Sequence, residues 1–181
     1  MTWPEVLRRT GRALLRSAVR EATRRADRRR PRTPRRQASG SSPRTSYAGD
    51  FTGTWTATYA PSDNGVPDPG EIVWAWVPFE EDHTQGKDRP VLVVGVRQGR
   101  LLALMLTSKD HDHDARDEAR HGRHWVDLGT GPWDRQRRPS EVRVDRVLQL
   151  DPAAVRREGA RLDAARFAAV AAGLREHRGW R

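Results

Sequence analysis

The run GEIVWAWVPF at residues 70–79 opens the stretch that decides the fold, which continues with GKDRPVLVVGV at 86–96 and LLALMLTS at 101–108. Valine and alanine alternate with tryptophan in the first run, so residues 71–79 are predicted to form a strand with useful side chains on both faces. Residues 90–96 are almost continuously apolar, which predicts a central strand buried on both sides. Only Gln98 and Gly99 separate it from a third strand at 101–107, and so short a connection predicts an antiparallel hairpin.

The rest of the C-terminal part supplies two more strands and two helices. The strands are predicted at residues 124–128 and 141–148, with a loop at 129–139 between them and an exposed, highly charged excursion at 109–123 before them. A short helix is predicted from Asp151, because aspartate caps helices and Pro152 suits a first turn. A second helix is predicted after Asp163, since apolar residues then recur at spacings of three, four and seven.

These elements predict one folded domain over residues 68–181. Its fold class is mainly β with a C-terminal α-helix, because five short strands precede the last helix. Strands this short, with turn residues between them, favour a small, strongly curved antiparallel barrel of the SH3-like kind over a sandwich.

The N-terminal part differs sharply in composition. Residues 1–46 carry 14 arginines against three acidic residues, so they account for the net charge of +10. Residues 1–30 are predicted to form a basic amphipathic helix or arm, suited to nucleic acid, an anionic lipid surface or an acidic partner. Residues 31–67 are rich in Pro, Ser, Thr and Gly and are predicted to be a disordered linker, although residues 51–59 alternate like an edge strand.

The absence of cysteine narrows the chemistry. It excludes disulfides, thiolate metal sites and a cysteine nucleophile, and it fits a reducing compartment. No apolar run is long enough to span a membrane, and the N-terminus lacks the uncharged core of a signal peptide. The sequence therefore predicts a cytoplasmic protein, for which a membrane partner is not expected.

The order of motifs resembles one protein family. GEIVWAW, GKDRPVLVV, LMLTSKD and PSEVRVDRVLQLDP, followed by a C-terminal helix, resemble the PemK/MazF toxins of type II toxin-antitoxin systems over residues of about 68–175. The resemblance implies an SH3-like barrel that forms a homodimer and cuts single-stranded RNA as an endoribonuclease. It also implies that no cofactor or metal is needed and that a cognate antitoxin holds the enzyme inactive.

Two residues match the catalytic positions of that family. Arg89 opens the second strand in an Arg-Pro pair, and Thr107 ends the third strand. RNA can be cut without a metal when its own 2′-hydroxyl attacks the adjacent phosphorus, provided that the protein stabilises charge on the phosphoryl oxygens. A guanidinium offers forked donors to two phosphate oxygens, and a threonine hydroxyl can bond a third oxygen or orient the nucleophile.

Four further residues are predicted to bind the substrate: Lys87, Ser108, Trp76 and His83. Lys87 adds charge for phosphate, and Trp74 or Trp76 can stack a splayed base, although both also fit a role in the core or in a dimer interface. The loop after the first strand is strongly acidic, with Glu80, Glu81 and Asp82. It would repel RNA unless one of these carboxylates, or His83, acts as a general base.

Other readings of the sequence stay open. The cluster at residues 110–114, with His121 and His124 downstream, has metal-binding residue types, although alternating His and Asp on an exposed loop is more typical of a solvated surface. A barrel of this fold can also act without catalysis, as a module that binds RNA or a partner protein and uses the basic arm as an anchor.

Overall fold

A computed structural model, which describes residues 47–108 and 115–181, has a single strongly curved antiparallel sheet with a helix at its C-terminal end. The strands are β1 (Glu71–Pro78), β2 (Gly86–Arg97), β3 (Arg100–Thr107), β4 (Trp125–Gly129), β5 (Ser140–Arg143), β6 (Leu148–Leu150) and β7 (Arg156–Arg161). The predicted class, mainly β with a C-terminal helix, is confirmed. No helix among the described residues is long and apolar enough to cross a membrane.

The sheet is built around β2 and its two neighbours. The strand order is β4-β5-β3-β2-β1-β7, and β6 also pairs with β3. The predicted hairpin of β2 and β3 is present, with Gln98 at φ 49° and Gly99 at φ 74°. Positive φ at both central residues of a two-residue turn matches the right-handed twist of the strands, and this turn therefore sets the register of the central pair.

Two clusters of apolar side chains lie on the two faces of the curved sheet. One contains Leu92, Val94, Leu102 and Leu104 and packs against the C-terminal helix. The other is formed by these residues: Val73, Ala75, Val77, Val91, Val93, Leu101, Ala103, Leu148 and Leu150. The alternation along β2 thus buries side chains of both faces, as its continuously apolar sequence predicts.

Two α-helices are present in the described part of the chain. Helix α1 (Ala115–Arg120) lies within the predicted charged excursion, and helix α2 (Ala164–Arg178) is the predicted C-terminal helix. Asp163 begins α2 by accepting a hydrogen bond from the backbone N–H of Arg166. Gly179, at φ 62°, ends it by donating its backbone N–H to the carbonyl oxygens near the last turn.

Two predictions about the C-terminal half were wrong, and one strand was missed. The predicted strand at 141–148 is two strands, because the chain bends at Asp145 and Arg146: β5 pairs with the end of β3 and β6 with its beginning. The helix predicted at Asp151 is a single 3-10 turn (Pro152–Ala154). Strand β7 follows it and was missed, because its sequence RREGAR has no apolar alternation and it forms by pairing with the edge of β1.

The described end of the predicted linker packs against the sheet. We call residues 47–60 the N-terminal strap. Phe51 is 7% exposed and donates its backbone N–H to the carbonyl of Val147 at 2.7 Å. Residues 51–59 do not form the edge strand that their alternation indicated; instead, isolated hydrogen bonds such as Thr58 N–H to Val94 O hold an extended segment. The prediction of a disordered linker is thus wrong for the strap, because its aromatic rings pack against apolar surface. The arm and residues 109–114 lie outside the described residues.

Candidate functional site

Strand register places three of the predicted site residues on one face of the sheet. Arg89 is paired with Ala75 and Lys87 with Val77, and directly paired residues share a face in an antiparallel sheet. Ala75 and Val77 both belong to the apolar cluster that contains Val91. Lys87 and Arg89 therefore lie at one end of that cluster, where β2 begins.

Thr107 reaches the same face from β3. Val91 with Met105 is the last pair between β2 and β3 at this end, and Arg89 and Thr107 each lie two residues beyond that pair along their strands. Met105 packs against the apolar cluster beneath these residues, and alternation then puts Thr107 on the same side. Arg89 and Thr107 thus lie on one face at the same end of the β2 and β3 hairpin, which is the arrangement that two groups contacting one phosphodiester would need.

Strand β5 adds two charged residues to this face. Thr107 is paired with Glu141, and Arg143 follows two positions later on the same side. Both are buried, at 8% and 7% exposure. A carboxylate and a guanidinium therefore lie next to the strand end that carries Thr107, on residues that the sequence reasoning did not single out.

Arg143 is held by two carboxylates. Its Nη1 donates to Glu80 Oε2 at 2.8 Å and its Nη2 to Glu80 Oε1 at 3.1 Å. Its Nε and Nη2 donate to Asp145, with the shortest bond at 2.6 Å. A buried charge is stable only when paired in this way, and the forked geometry also fixes the direction of the side chain.

The ion pairs shift the pKa values of their members. The hydrogen bonds from Arg143 hold the pKa of Glu80 below its ordinary value of 4.5. Burial of Arg143 opposes its charge, but the hydrogen bonds to Asp145 and Glu80 outweigh burial and raise the pKa of Arg143. Glu80 is therefore ionised at neutral pH and is a poor general base while it remains bound to Arg143.

Arg89 and Lys87 differ from Arg143 in having no acidic partner among the residues that the structure describes. Within residues 47–108 and 115–181, no carboxylate forms an ion pair with either side chain. Arg89 is half-buried, and Lys87 is exposed with its Nζ 5.9 Å from the centre of the Phe79 ring. Two cations without local neutralisation attract an anion, and the spacing of two residues directs both towards the same side of the sheet.

The remaining predicted substrate-binding residues lie in different places. Ser108 is exposed directly after Thr107. Trp76 is 54% exposed, but alternation along β1 puts it on the opposite face from Ala75, and its indole lies against the backbone of Gly86. Trp74 shares that opposite face. The register thus separates both tryptophans from Arg89, so base stacking by Trp76 beside Arg89 is not supported by this geometry.

His83 lies in the loop between β1 and β2. Its ring meets the edge of the Tyr47 ring at 5.0 Å between centroids. It is exposed and lies in the same loop as Glu80, so it is near the Arg143 end of the site and in contact with the N-terminal strap. The structure therefore links His83 to a segment that precedes the predicted domain.

The described residues offer no constellation for a metal. No group of three His, Asp or Glu side chains is arranged to hold an ion in the described parts of the chain. The ring of His124 stacks on that of His177 at 3.7 Å, and the predicted cluster at 110–114 lies outside the described residues. The geometry at Arg89 and Thr107 offers donors for an anion instead.

The sequence reasoning missed Glu80, Glu141, Arg143 and Asp145 as a connected group. From the sequence, Glu80 is part of an acidic loop expected to repel RNA unless one of its carboxylates, or His83, acts as a general base. Its role becomes clear once Arg143, which is 63 residues away, is seen to neutralise it. A usable signal was the alternation of charged and valine residues in EVRVD at 141–145, which puts Glu141 and Arg143 on one face of β5, with Asp145 at the bend that follows.

Comparison with known proteins gives three results. No curated protein matches the chain. A chain in the crystal structure of MazE-MazF (Form-II) from Deinococcus radiodurans is similar at 22% identity, over 64% of this chain and 98% of that chain, with a TM-score of 0.42. The model of the family described as PemK-like, MazF-like toxin of type II toxin-antitoxin system matches residues 68–177, which confirms the resemblance in the sequence. On the strength of that match, which spans more than half of its residues, this chain belongs to the PemK-like, MazF-like toxin family.

Proposed function

We propose that this protein is the toxin of a type II toxin-antitoxin system and acts as an endoribonuclease on single-stranded RNA. The observation that carries the proposal is the common face of Arg89 and Thr107, with Lys87 two residues before Arg89. Family membership indicates the class of protein, and the positions of these residues are the basis for the roles that we propose for them.

The cleavage proceeds without a metal. The 2′-hydroxyl of the nucleotide 5′ to the scissile bond attacks the adjacent phosphorus, the bond to the 5′-oxygen of the next nucleotide breaks, and a 2′,3′-cyclic phosphate forms. The proton of the 2′-hydroxyl passes to a general base, and the leaving 5′-oxygen takes up a proton. Arg89 donates two hydrogen bonds to the non-bridging oxygens, where negative charge grows in the transition state.

Thr107 acts beside Arg89. Its hydroxyl donates to a phosphoryl oxygen or holds the 2′-hydroxyl in line with the bond that breaks. Lys87 binds the phosphate of a neighbouring nucleotide, and Ser108 extends the row of donors at the end of β3. The general base is not assigned, because Glu80 is bound to Arg143 and His83 contacts Tyr47.

The partners follow from the family. We propose a homodimer as the active assembly and a cognate antitoxin as the inhibitor. With RNA as the proposed substrate, we propose that the reaction takes place in the cytoplasm. The basic residues 1–30 are proposed to add affinity for nucleic acid, because 11 net positive charges in residues 1–46 attract polyanions at low salt.

The test is cleavage of a fluorescent single-stranded RNA by the purified full-length chain in the presence of EDTA. We expect cleavage, cyclic-phosphate ends and no cleavage of a matched oligonucleotide with 2′-deoxy sugars. Arg89→Ala should slow cleavage by roughly 100-fold or more, as does loss of a charged donor in other active sites. Arg100→Ala is the matched control, since Arg100 lies at the opposite end of the same β2 and β3 hairpin.

The alternative is a module that binds RNA or a partner protein without cutting. Two carboxylates bound to Arg143, together with Glu141, put acidic groups beside the site and favour this alternative. It predicts RNA binding without strand scission at any concentration of protein. Equal cleavage by Arg89→Ala and the parent chain would refute the assigned site.

A further inference from the structure

The N-terminal strap lies outside residues 68–177, which match the family model, yet it contacts the loop beside the candidate site. We call residues 79–85, between β1 and β2, the site loop. It carries Glu80, which binds Arg143, and His83, which contacts Tyr47 of the strap. A segment that is not part of the family's domain thus touches the loop at His83.

Asp50 is the centre of this contact. Its carboxylate accepts hydrogen bonds from Arg146 Nε at 2.9 Å and Nη2 at 3.2 Å, and it also accepts one from the Tyr47 hydroxyl. Burial opposes the charge of Asp50, but the hydrogen bonds from Arg146 and Tyr47 outweigh burial and lower its pKa. The carboxylate is therefore ionised and is saturated by partners from both the strap and the barrel.

Arg146 connects Asp50 to the start of the site loop. It is 5% exposed, and its remaining Nη1 donates to the carbonyl of Pro78 at 2.8 Å. Pro78 is the last residue of β1, so this hydrogen bond fixes the point from which the site loop begins. Without Asp50, the buried guanidinium would lack its charge partner and would have to turn towards another acceptor.

We propose that Asp50 is a positioning residue, which acts through Arg146 and the Pro78 carbonyl to hold the site loop in place. The loop in turn places Glu80 against Arg143, on the face that carries Arg89 and Thr107. As a statement about catalysis, the inference rests on the proposed function. As a statement about the loop, it stands on the geometry alone.

The chain offers a matched control for Asp50. Asp63 also precedes the family-matched residues and binds an arginine distant in sequence, with its Oδ1 3.1 Å from Nη2 of Arg161. Its side chain is 93% exposed and has no contact with the site loop. Asp50→Asn and Asp63→Asn therefore make the same chemical change in the part of the chain that precedes residue 68, and only the first alters the support of the loop.

The experiment measures amide hydrogen exchange in the full-length chain. Two backbone amides report on the loop, because Phe79 donates to Gln85 O at 2.9 Å and Gln85 donates to Asp82 O at 3.1 Å. In Asp50→Asn we expect both amides to exchange roughly tenfold faster, while those of Val91 to Val94 in β2 keep the parental rate. Asp63→Asn should leave the loop amides at the parental rate. Tyr47→Phe, which removes one donor but retains the ring, should give a smaller increase.

A kinetic measurement tests whether the position of the loop affects the reaction. If the parent chain cuts RNA, Asp50→Asn should lower kcat about tenfold with little change in KM, because the loop orients the site and does not itself bind most of the RNA. Parental exchange in the loop of Asp50→Asn would overturn the proposal, and so would an increase spread evenly over the whole sheet. If the parent chain cuts no RNA, the proposed function fails, and the exchange rates still decide whether Asp50 holds the loop.

Discussion

Glu80 and Arg143 are 63 residues apart in the chain and meet through two parallel hydrogen bonds of 2.8 and 3.1 Å. The pair joins the site loop to β5, and Asp145 completes the neutralisation of the guanidinium from the other side. An acidic loop beside an RNA site is thus compatible with phosphate binding, because a buried guanidinium neutralises part of the loop's negative charge. On the face of Thr107, Lys87 and Arg89 keep positive charge for the substrate, because no carboxylate among the described residues pairs with them.

Glu80→Gln is expected to make the domain less dependent on pH in the acid range. The folded-state pKa of Glu80 is lowered, so its contribution to the free energy of unfolding is complete above its ordinary value of 4.5 and is lost as pH falls through the lowered pKa. The side chain of Glu80 is 42% exposed, so solvent screening limits the contribution to about 1 kcal/mol.

Denaturant unfolding of the parent and Glu80→Gln at pH 7 and at pH 3 measures this difference. The two chains should differ in unfolding free energy at pH 7, and the difference should become smaller at pH 3. Glu81→Gln is the control, since Glu81 is exposed and adjacent. A difference that persisted unchanged at pH 3 would contradict a role for the ionised Glu80.

Thr107→Val is expected to abolish most of the cleavage without loss of the fold. Valine keeps the branched shape that suits the end of β3 and removes only the hydroxyl, so one donor to the transition state disappears. We expect kcat to fall by about 100-fold, whereas Thr107→Ser, which retains the hydroxyl, should keep a measurable share of activity. Cleavage by Thr107→Val at the parental rate would remove Thr107 from the site.

Phe51→Ala is expected to destabilise the domain, although Phe51 precedes the residues that match the family. Its ring is 7% exposed and meets the edge of Trp180 at 6.0 Å, with the Arg97 guanidinium over its face. Truncating a buried phenylalanine costs about 3–5 kcal/mol, so the midpoint of thermal unfolding should fall by many degrees. Thr52→Ala, at an exposed neighbouring position, should leave the midpoint unchanged.

Elements with buried side chains could be predicted from the sequence, whereas elements with exposed side chains could not. Val91 to Val94 are 0% exposed, and their unbroken apolar run is enough to predict a central strand. Strand β7 carries mostly charged residues and is a strand only because the edge of β1 is free to pair with it, which no local pattern reveals. Phe51 looked like part of a linker, because its neighbours are threonine and glycine and its partner Trp180 lies near the other end of the chain.

Some of the site residues could likewise be predicted from the sequence, and others could not. Arg89 and Thr107 were predicted from the resemblance to the family, and strand alternation is consistent with their common face. The partnership of Arg143 with Glu80 could not be predicted, because it depends on how the loop after β1 folds over β5. Substrate binding by Trp76 stays a prediction: Ala75 pairs with Arg89 and shares its face, and a step of one residue along the strand puts Trp76 on the other face.

Lys87→Met is expected to weaken RNA binding and to reduce its dependence on salt. Lys87 is exposed, two residues before Arg89 on the same face, and its charge is not neutralised by a carboxylate within the described part of the chain. If it binds one phosphate, its loss lowers the slope of log affinity against log salt by about 0.7, the value for one contact to a single strand. Methionine keeps the apolar stem beside the Phe79 ring, so the strand itself should be undisturbed.

Fluorescence anisotropy measures the affinity for a 2′-deoxy analogue that cannot be cut, over a range of salt concentrations. Lys87→Arg, which keeps the charge, should have the parental slope. Once the RNA is saturating, the kcat of Lys87→Met should stay within a few-fold of the parent, because a contact made equally in the ground and transition states affects KM and leaves kcat unchanged. A fall in kcat as large as that of Arg89→Ala would instead place Lys87 at the scissile phosphate itself.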